Sequence, residues 1–291
     1  MHTIRSAVPD PRLRPFVRCF AQREISAQRS SLIEAALASL EHILAFKLSG
    51  QSTLDNGSRT GAVIPRISFS GTSTRFPGYL SFTGSVLAFG IFLKPFACWQ
   101  LFRIPAEFTD QQFEAGEVFG PWIRDLWLKL AESENFCDRV RIATETLLPF
   151  AGQATPFTRT MAAAQNFFRA DFDFSMRIQQ LAHDSCMTVR TYERKFVGEM
   201  GLSPKLFARL RRFQMALDRK RASETRWIDV AHNLGYFDQM HMVKDFRAFG
   251  GDAPVRLLQT CGDYQPWSIG SPLSLNHVTI REVPNRSSML R

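Results

Sequence analysis

IQQLAHDSC (Ile178–Cys186) and WIDVAHNLG (Trp227–Gly235) are two copies of one pattern. Ala182 aligns with Ala231, His183 with His232 and Cys186 with Gly235, and the copies run on to Phe196 and Phe246. Each reads as helix, tight turn, helix, with a polar, basic second helix. Two such units side by side predict a device that presents two helices to the DNA major groove.

The first unit follows from sterics. Ser175 is the expected N-cap of its first helix, on which Ile178, Leu181 and Ala182 share one face. Ala182 is small enough to let two helices cross closely. Thr188 caps the next helix, where Val189, Tyr192 and Phe196 point inward by their spacing. Arg190, Thr191, Glu193, Arg194 and Lys195 are left for the outer face. In the second unit Gly235 supplies the positive φ of the turn, and Asp238 is the N-cap. Met242, Phe246 and Phe249 form the inward stripe, leaving Gln239, Met240, His241 and Lys244 outside. Gln pairs bidentately with adenine, and Lys donates to guanine or phosphate. Met240 suits either a thymine methyl or the core edge; His241 suits either reading or plain surface exposure.

A long helix joins the units. Ser203–Pro204 starts it, Phe207, Leu210, Phe213 and Leu217 are its buried stripe, and Arg209, Arg211, Arg212, Arg219, Lys220 and Arg221 cover the rest. A rigid connector places the two reading heads about one ~34 Å turn apart. Candidate phosphate contacts are Thr188, Lys195, Arg209, Arg211, Arg212, Asp238 and Arg247.

Charge agrees with this reading. The chain of 291 residues carries a net +9, and residues 156–262 hold 17 Lys+Arg against 11 Asp+Glu, two-thirds of the excess. A polyanion partner is the natural inference. No run approaches ~18 consecutive apolar residues, so no membrane span is expected. Met1–Arg5 opens no secretory signal. Cys19, Cys98, Cys137, Cys186 and Cys261 are odd in number and widely spaced, which argues against a disulfide framework or a zinc site. No cofactor motif, metal set or catalytic triad is read.

The remainder divides into three. Residues 1–154 look mixed: Ser31–Ser39 reads as a brief helix, Glu41–Leu48 alternates as a strand, and Ser85–Leu93 is apolar on both faces, as a strand buried on two sides should be. Pro95–Phe102, a run from Pro121, and a run capped by Asn135 read as helices. Phe89, Phe92, Phe96 and Trp99 read as core. Gly152–Pro156 is small and polar, so the boundary falls there, and Phe157, Met161, Ala164 and Phe168 open the second domain, 155–262. Residues 263–291, rich in Ser, Pro and Asn, are expected to form a flexible tail. The fold class is therefore α+β: a small β-barrel or sheet with helices, then an all-α domain of two helix-turn-helix subdomains joined by a long helix.

Residues 157–260 resemble the DNA-binding domain of the AraC/XylS family of bacterial transcription regulators. The resemblance rests on Leu181–Ala182, RTYERKF (Arg190–Phe196), GLSP (Gly201–Pro204), Asp229–Ala231, LGYFDQ (Leu234–Gln239), FRAFG (Phe246–Gly250) and Pro254. It implies seven helices in two subdomains, with base-reading positions on Arg190, Glu193, Arg194, Gln239, Met240, His241 and Lys244. Two departures stand out. Cys186 occupies a turn position where the family usually has Gly, at about 1 kcal/mol for a left-handed non-Gly residue, so a distorted turn is expected. Asp218–Arg221 is charged where leucines are common, so a frayed or shifted last turn is expected.

Pro9–Val17, Gly90–Ala97 and Phe102–Asp110 resemble one of the family's regulatory domains, which implies effector binding, dimerisation or both. The implied protein is a cytoplasmic, nucleoid-associated transcription regulator, more often an activator. Its partners would be double-stranded DNA and RNA polymerase, with a small-molecule effector and a homodimer left open. The alternatives are a DNA-repair type enzyme or a protein-interaction module carrying a similar domain.

Overall fold

The apolar run Ser85–Leu93 lies at the centre of a sheet, where strands cover both its edges. In a computed structural model of the chain, the residues described are 2–26, 32–56, 61–106, 108–167, 178–222, 225–261 and 279–283. Strands come first: β1 (His2–Ala7), β2 (Val17–Ile25), β3 (Leu32–Ala36), β4 (His42–Asp55), β5 (Ala62–Val63), β6 (Ile67–Ser70) and β7 (Gly78–Leu93). Helix α1 (Ala97–Phe102) and the short β8 (Gln112–Glu114) lead into α2 (Ala115–Phe119), α3 (Trp122–Glu132) and α4 (Phe136–Gly152). Helices then continue as α5 (Arg159–Asn166), α6 (Ile178–Asp184), α7 (Val189–Met200), α8 (Pro204–Ala222), α9 (Trp227–Asn233), α10 (Gln239–Gly250) and α11 (Pro254–Cys261), and β9 (Thr279–Val283) follows.

Among the described residues all strand pairings are antiparallel, in the order β8-β6-β4-β7-β2-β1-β9, with β3 on β7 and β5 on β4. Among the described residues no ladder joins β8 to β9, so this is an open sheet rather than a closed barrel. β7 pairs with β2 and β4 through its second half and with β3 and β4 through its first. Phe89, Ile91 and Leu93 pack into the core shared with α1–α4, while Phe92 packs with Cys19 and Ala21 in a separate cluster, which explains its two-sided apolar character.

Two expectations fail here. Ser31–Ser39 is not a helix: Leu32–Ala36 forms β3, in register with Gly78–Phe82. So short a segment takes the state of the ladder beside it rather than its own propensity. Nor is all of 263–291 a flexible tail, because Thr279–Val283 pairs with His2–Ser6 as β9. Ser175 and Phe168, and Trp267, Ile269 and Val278 of the tail, lie outside the described residues.

The sheet and α1–α4 share one core, with Phe20, Phe46, Phe69, Phe89, Leu126 and Leu147 fully enclosed. Of the aromatics expected there, Phe89, Phe92 and Phe96 are buried, whereas Trp99 is 43% exposed. The helical core of α5–α11 also takes in Ala35, Leu37, Ala38, Leu40 and Phe96 from the sheet half. Phe157, between α4 and α5, stacks on Phe16 at 5.9 Å and meets Phe96 edge-on at 5.5 Å. The two halves are therefore packed together, not strung on a free linker.

Candidate nucleic-acid interface

Seven helices, α5–α11, build the second half among the described residues. The two helix-turn-helix turns are near-copies in geometry. Cys186 N–H donates to the His183 carbonyl at 2.8 Å, and Gly235 N–H to that of His232 at 3.0 Å. Met187 N–H reaches the Ala182 carbonyl at 2.9 Å, and Tyr236 N–H that of Ala231 at 3.0 Å. Cys186 has φ 55° and Gly235 φ 67°. The expected distortion at Cys186 does not occur; the residue adopts the left-handed conformation because the backbone bonds Ser185 to Leu181, Cys186 to His183 and Met187 to Ala182 hold the turn, and the departure from Gly is felt as energy instead of shape.

Inward stripes orient the second helix of each unit. Tyr192, Phe196 and Met200 of α7 are fully buried, with Phe196 against Phe207 of α8 at 5.3 Å. The stripe is shifted from the expected one, since Val189 is exposed. Met242, Phe246 and Phe249 of α10 are enclosed, with Phe246 against Phe213 of α8 at 4.9 Å. This rotation leaves Arg190, Glu193, Arg194, Gln239, Met240, His241 and Lys244 all exposed. N-caps fix where each helix begins: Thr188 Oγ1 accepts from Thr191 N–H at 3.2 Å, and Asp238 Oδ1 from His241 N–H at 2.7 Å.

Helix α8 sets the separation. Its 19 residues span about 28 Å at ~1.5 Å per residue. Ser203 Oγ accepts from Leu206 N–H at its start. The expected fraying of its charged end is not seen: the helix runs through Asp218–Arg221 to Ala222. Arg219 donates to the Asn233 carbonyl at 3.1 Å, and Lys220 to that of Thr225 at 2.8 Å, so charges in place of leucines bind the last turn to the second unit.

The phosphate candidates separate by environment. Arg211 is buried and donates to the Phe167 carbonyl at 2.8 Å; burial pushes its pKa down from the usual guanidinium value. It faces the core and cannot touch DNA, a correction that helical spacing could not supply because the neighbouring helix covers it. Asp238 is a carboxylate committed to capping, its pKa lowered by the His241 backbone bond, and a like charge does not attract phosphate. Arg209 pairs with the buried Asp245 at 2.6 Å and lies over Phe249. Arg212 donates to the Gly235 carbonyl at 2.9 Å and stacks on Tyr236, bracing the second turn. Thr188, Lys195 and Arg247 are exposed. Lys195 lines a cleft of about 500 Å3 between α5 and α7, where Arg159 also stands and Thr158 Oγ1 donates to Glu199 at 2.6 Å.

Phe237 escaped the sequence reading. It is 90% exposed, one residue before the Asp238 cap, and its ring meets that of His241 edge-on at 5.8 Å. Apolar periodicity gives no signal for it, because it stands outside both helices.

The sheet half holds both reading helices by their far ends. Gly201 and Gly251, the left-handed C-caps of α7 and α10, face it. A Cβ at Gly201 would collide with the Ala106 carbonyl, and one at Gly251 would press on the Phe76 ring at 2.8 Å. The Ala248 and Phe249 carbonyls at the end of α10 accept from Phe76 and Ala38 N–H at 2.8 and 2.9 Å. The N-terminal turns of both helices, with their polar side chains, point away from that contact.

Two equivalent helices exposing arginine, glutamine and lysine on a basic domain define a DNA-binding transcription regulator. Residues 181–260 match a family model described as a helix-turn-helix domain, the kind of domain that the AraC/XylS resemblance implies for this stretch. Residues 5–114 match a domain of unknown function, DUF6597. No curated protein matches the chain. Among solved structures, it is similar to ToxT from Vibrio cholerae. One crystal structure shares 9% identity at a TM-score of 0.46, another 13% at 0.46, and a ligand-free variant 9% at 0.48. Each covers 84% of this chain and 98% of that one. Likenesses this distant carry no functional argument. Among the described residues no helix is long and apolar enough to cross a membrane.

Proposed function

We propose that this chain reads an asymmetric DNA site through two successive major-groove segments, and that it activates transcription in contact with RNA polymerase. Arg190, Glu193 and Arg194 would read one segment, and Gln239, Met240, His241 and Lys244 the other. Lys195, Thr188 and Arg247 would contact phosphate. The observation that carries this reading is the matching pair of turns, which present two equivalent helices with their polar N-terminal turns free. Residues 155–262 serve as the DNA-reading domain. Residues 1–154 serve as the regulatory domain, the seat of an effector, a homodimer contact, or both.

His241 has a defined role in this reading. Its Nδ1 lies 3.2 Å from Asp238 Oδ1, so the cap carboxylate holds the ring in place and leaves Nε2 to meet a base edge. Activation follows the commoner sign among regulators of this type. The reading includes no catalytic step. Selection of duplexes from random DNA with the full chain tests it: the expected outcome is an enriched site with two elements about one ~10 bp turn apart. Recovery of no motif overturns it.

A further inference from the structure

We infer that α10 recognises the 5-methyl group of thymine, through an apolar patch formed by Phe237 and Met240 at its N-terminal turn. The inference rests on the DNA-reading role proposed above and specifies the base that the second unit selects.

Phe237 stands where a helix normally gains a hydrophobic staple: the residue before the N-cap packs on the fourth residue of the helix. Here that fourth residue is Met242, which is completely buried, whereas Phe237 is 90% exposed. The ring is therefore not stapling the helix. Its described ring contact is edge-on with His241, itself exposed. Met240, three positions on, is 58% exposed. Two large apolar side chains thus stand in water at the N-terminal end of a helix whose other exposed residues include Gln239, His241, Lys244 and Arg247.

Folding offers no reason for this exposure, since the core beneath is already filled by Met242, Phe246 and Phe249. The patch needs an apolar surface at the end of a basic reading helix. In the major groove the base edges present donors, acceptors and one apolar group, the thymine methyl. Desolvating that methyl against Phe237 and Met240 stabilises the complex, and cytosine, which lacks it, offers the patch nothing. Gln239 is exposed on the same first turn and Gln pairs bidentately with adenine, so the expected element sets thymine next to adenine. A protein partner for the same patch would leave thymine substitution without effect.

The test uses the full chain and its selected DNA site. Each thymine in the element facing α10 is replaced singly by deoxyuridine, which removes only the methyl group. At one or two positions the affinity is expected to fall about threefold to tenfold. Phe237→Ala, which removes an exposed ring and so leaves the fold intact, is expected to weaken the thymine site by a similar factor and leave the deoxyuridine site unchanged. Met240→Ala gives an independent second variant. The inference is overturned if every thymine tolerates deoxyuridine, if the selected element contains no thymine, or if the methyl penalty persists undiminished in Phe237→Ala/Met240→Ala. A selection that recovers no motif defeats the DNA-reading proposal itself, whereas a motif indifferent to the methyl defeats only this inference.

Discussion

The Glu41 carboxylate accepts a hydrogen bond from the Gln214 side-chain amide at 2.8 Å, joining residues 173 positions apart. Gln214 lies on α8, the helix that spaces the reading heads, and Glu41 immediately precedes β4 of the sheet. Arg18 pairs with the same carboxylate at 2.9 Å, and Ser39 Oγ donates to it at 2.6 Å. Burial alone would raise the Glu41 pKa, but Arg18, Ser39 and Gln214 together hold it below the ordinary value. A fully buried anion thus couples the sheet half to the spacer between the recognition helices.

Glu41→Ala leaves the Arg18 side chain, only 10% exposed, without its ion-pair partner at 2.9 Å. Removing one partner of a buried pair costs about 3–5 kcal/mol. Urea unfolding should show a loss of that size; a loss below about 1 kcal/mol would mean the pair is solvated like a surface bridge.

Arg211 and Arg247 are expected to behave oppositely. Arg211→Ala should lower stability by about 1.5–3 kcal/mol, the range for a hydrogen bond to a charged group, and leave the salt dependence of DNA binding alone. Arg247→Ala should preserve stability and flatten the salt slope by about 1. Titrations at several salt concentrations, alongside thermal unfolding, separate the two.

Arg194→Ala and Gln239→Ala should each cost ~1–3 kcal/mol on the preferred site and relax selectivity at one subsite only. Repeating the DNA selection with each variant checks this. Uniform weakening across all sequences would reassign the residue to the backbone.

The two turns allow a matched comparison. Gly235→Ala forces a Cβ into φ 67° and should destabilise the second unit by about 1 kcal/mol or more. Cys186→Gly relieves the same strain in the first unit, with a gain of up to about 1 kcal/mol after the flexibility of Gly in the unfolded chain is subtracted. Both are read by chemical denaturation.

His42 is buried with Nδ1 3.0 Å from Cys98 Sγ, and burial lowers its pKa to about 4. Its folded pKa is below the unfolded one near 6.5. As pH falls through 6.5 the unfolded chain takes up a proton that the folded chain does not, so stability drops until about pH 4, by on the order of 3 kcal/mol. Above pH 6.5 this contribution is fully present. Unfolding curves between pH 7 and 4 should show the decline, and His42→Gln should remove its share of it.

Much of the helical half was legible in its residues. The repeat at Ala182 and Ala231, the caps at Thr188, Ser203 and Asp238, and the Gly235 turn are local signals, set by one residue's φ or one side chain's reach. Outward positions such as Arg194 and Gln239 follow from a 3.6-residue period alone. Ser31–Ser39 misled because nine residues carry too little period to tell helix from strand, and the state of Leu32–Ala36 within it depends on β7, more than 40 positions away.

What the sequence by itself determined was the pair of helix-turn-helix units, their basic character and the faces they expose, because these depend on contacts within a few residues. Tertiary structure alone decided that Arg211 points into the core, that Arg212 braces a turn, that the sheet half grips the C-caps Gly201 and Gly251, and that Phe237 stands in water. Each of these depends on which distant segment covers a side chain, and burial by a distant segment leaves no trace in local spacing.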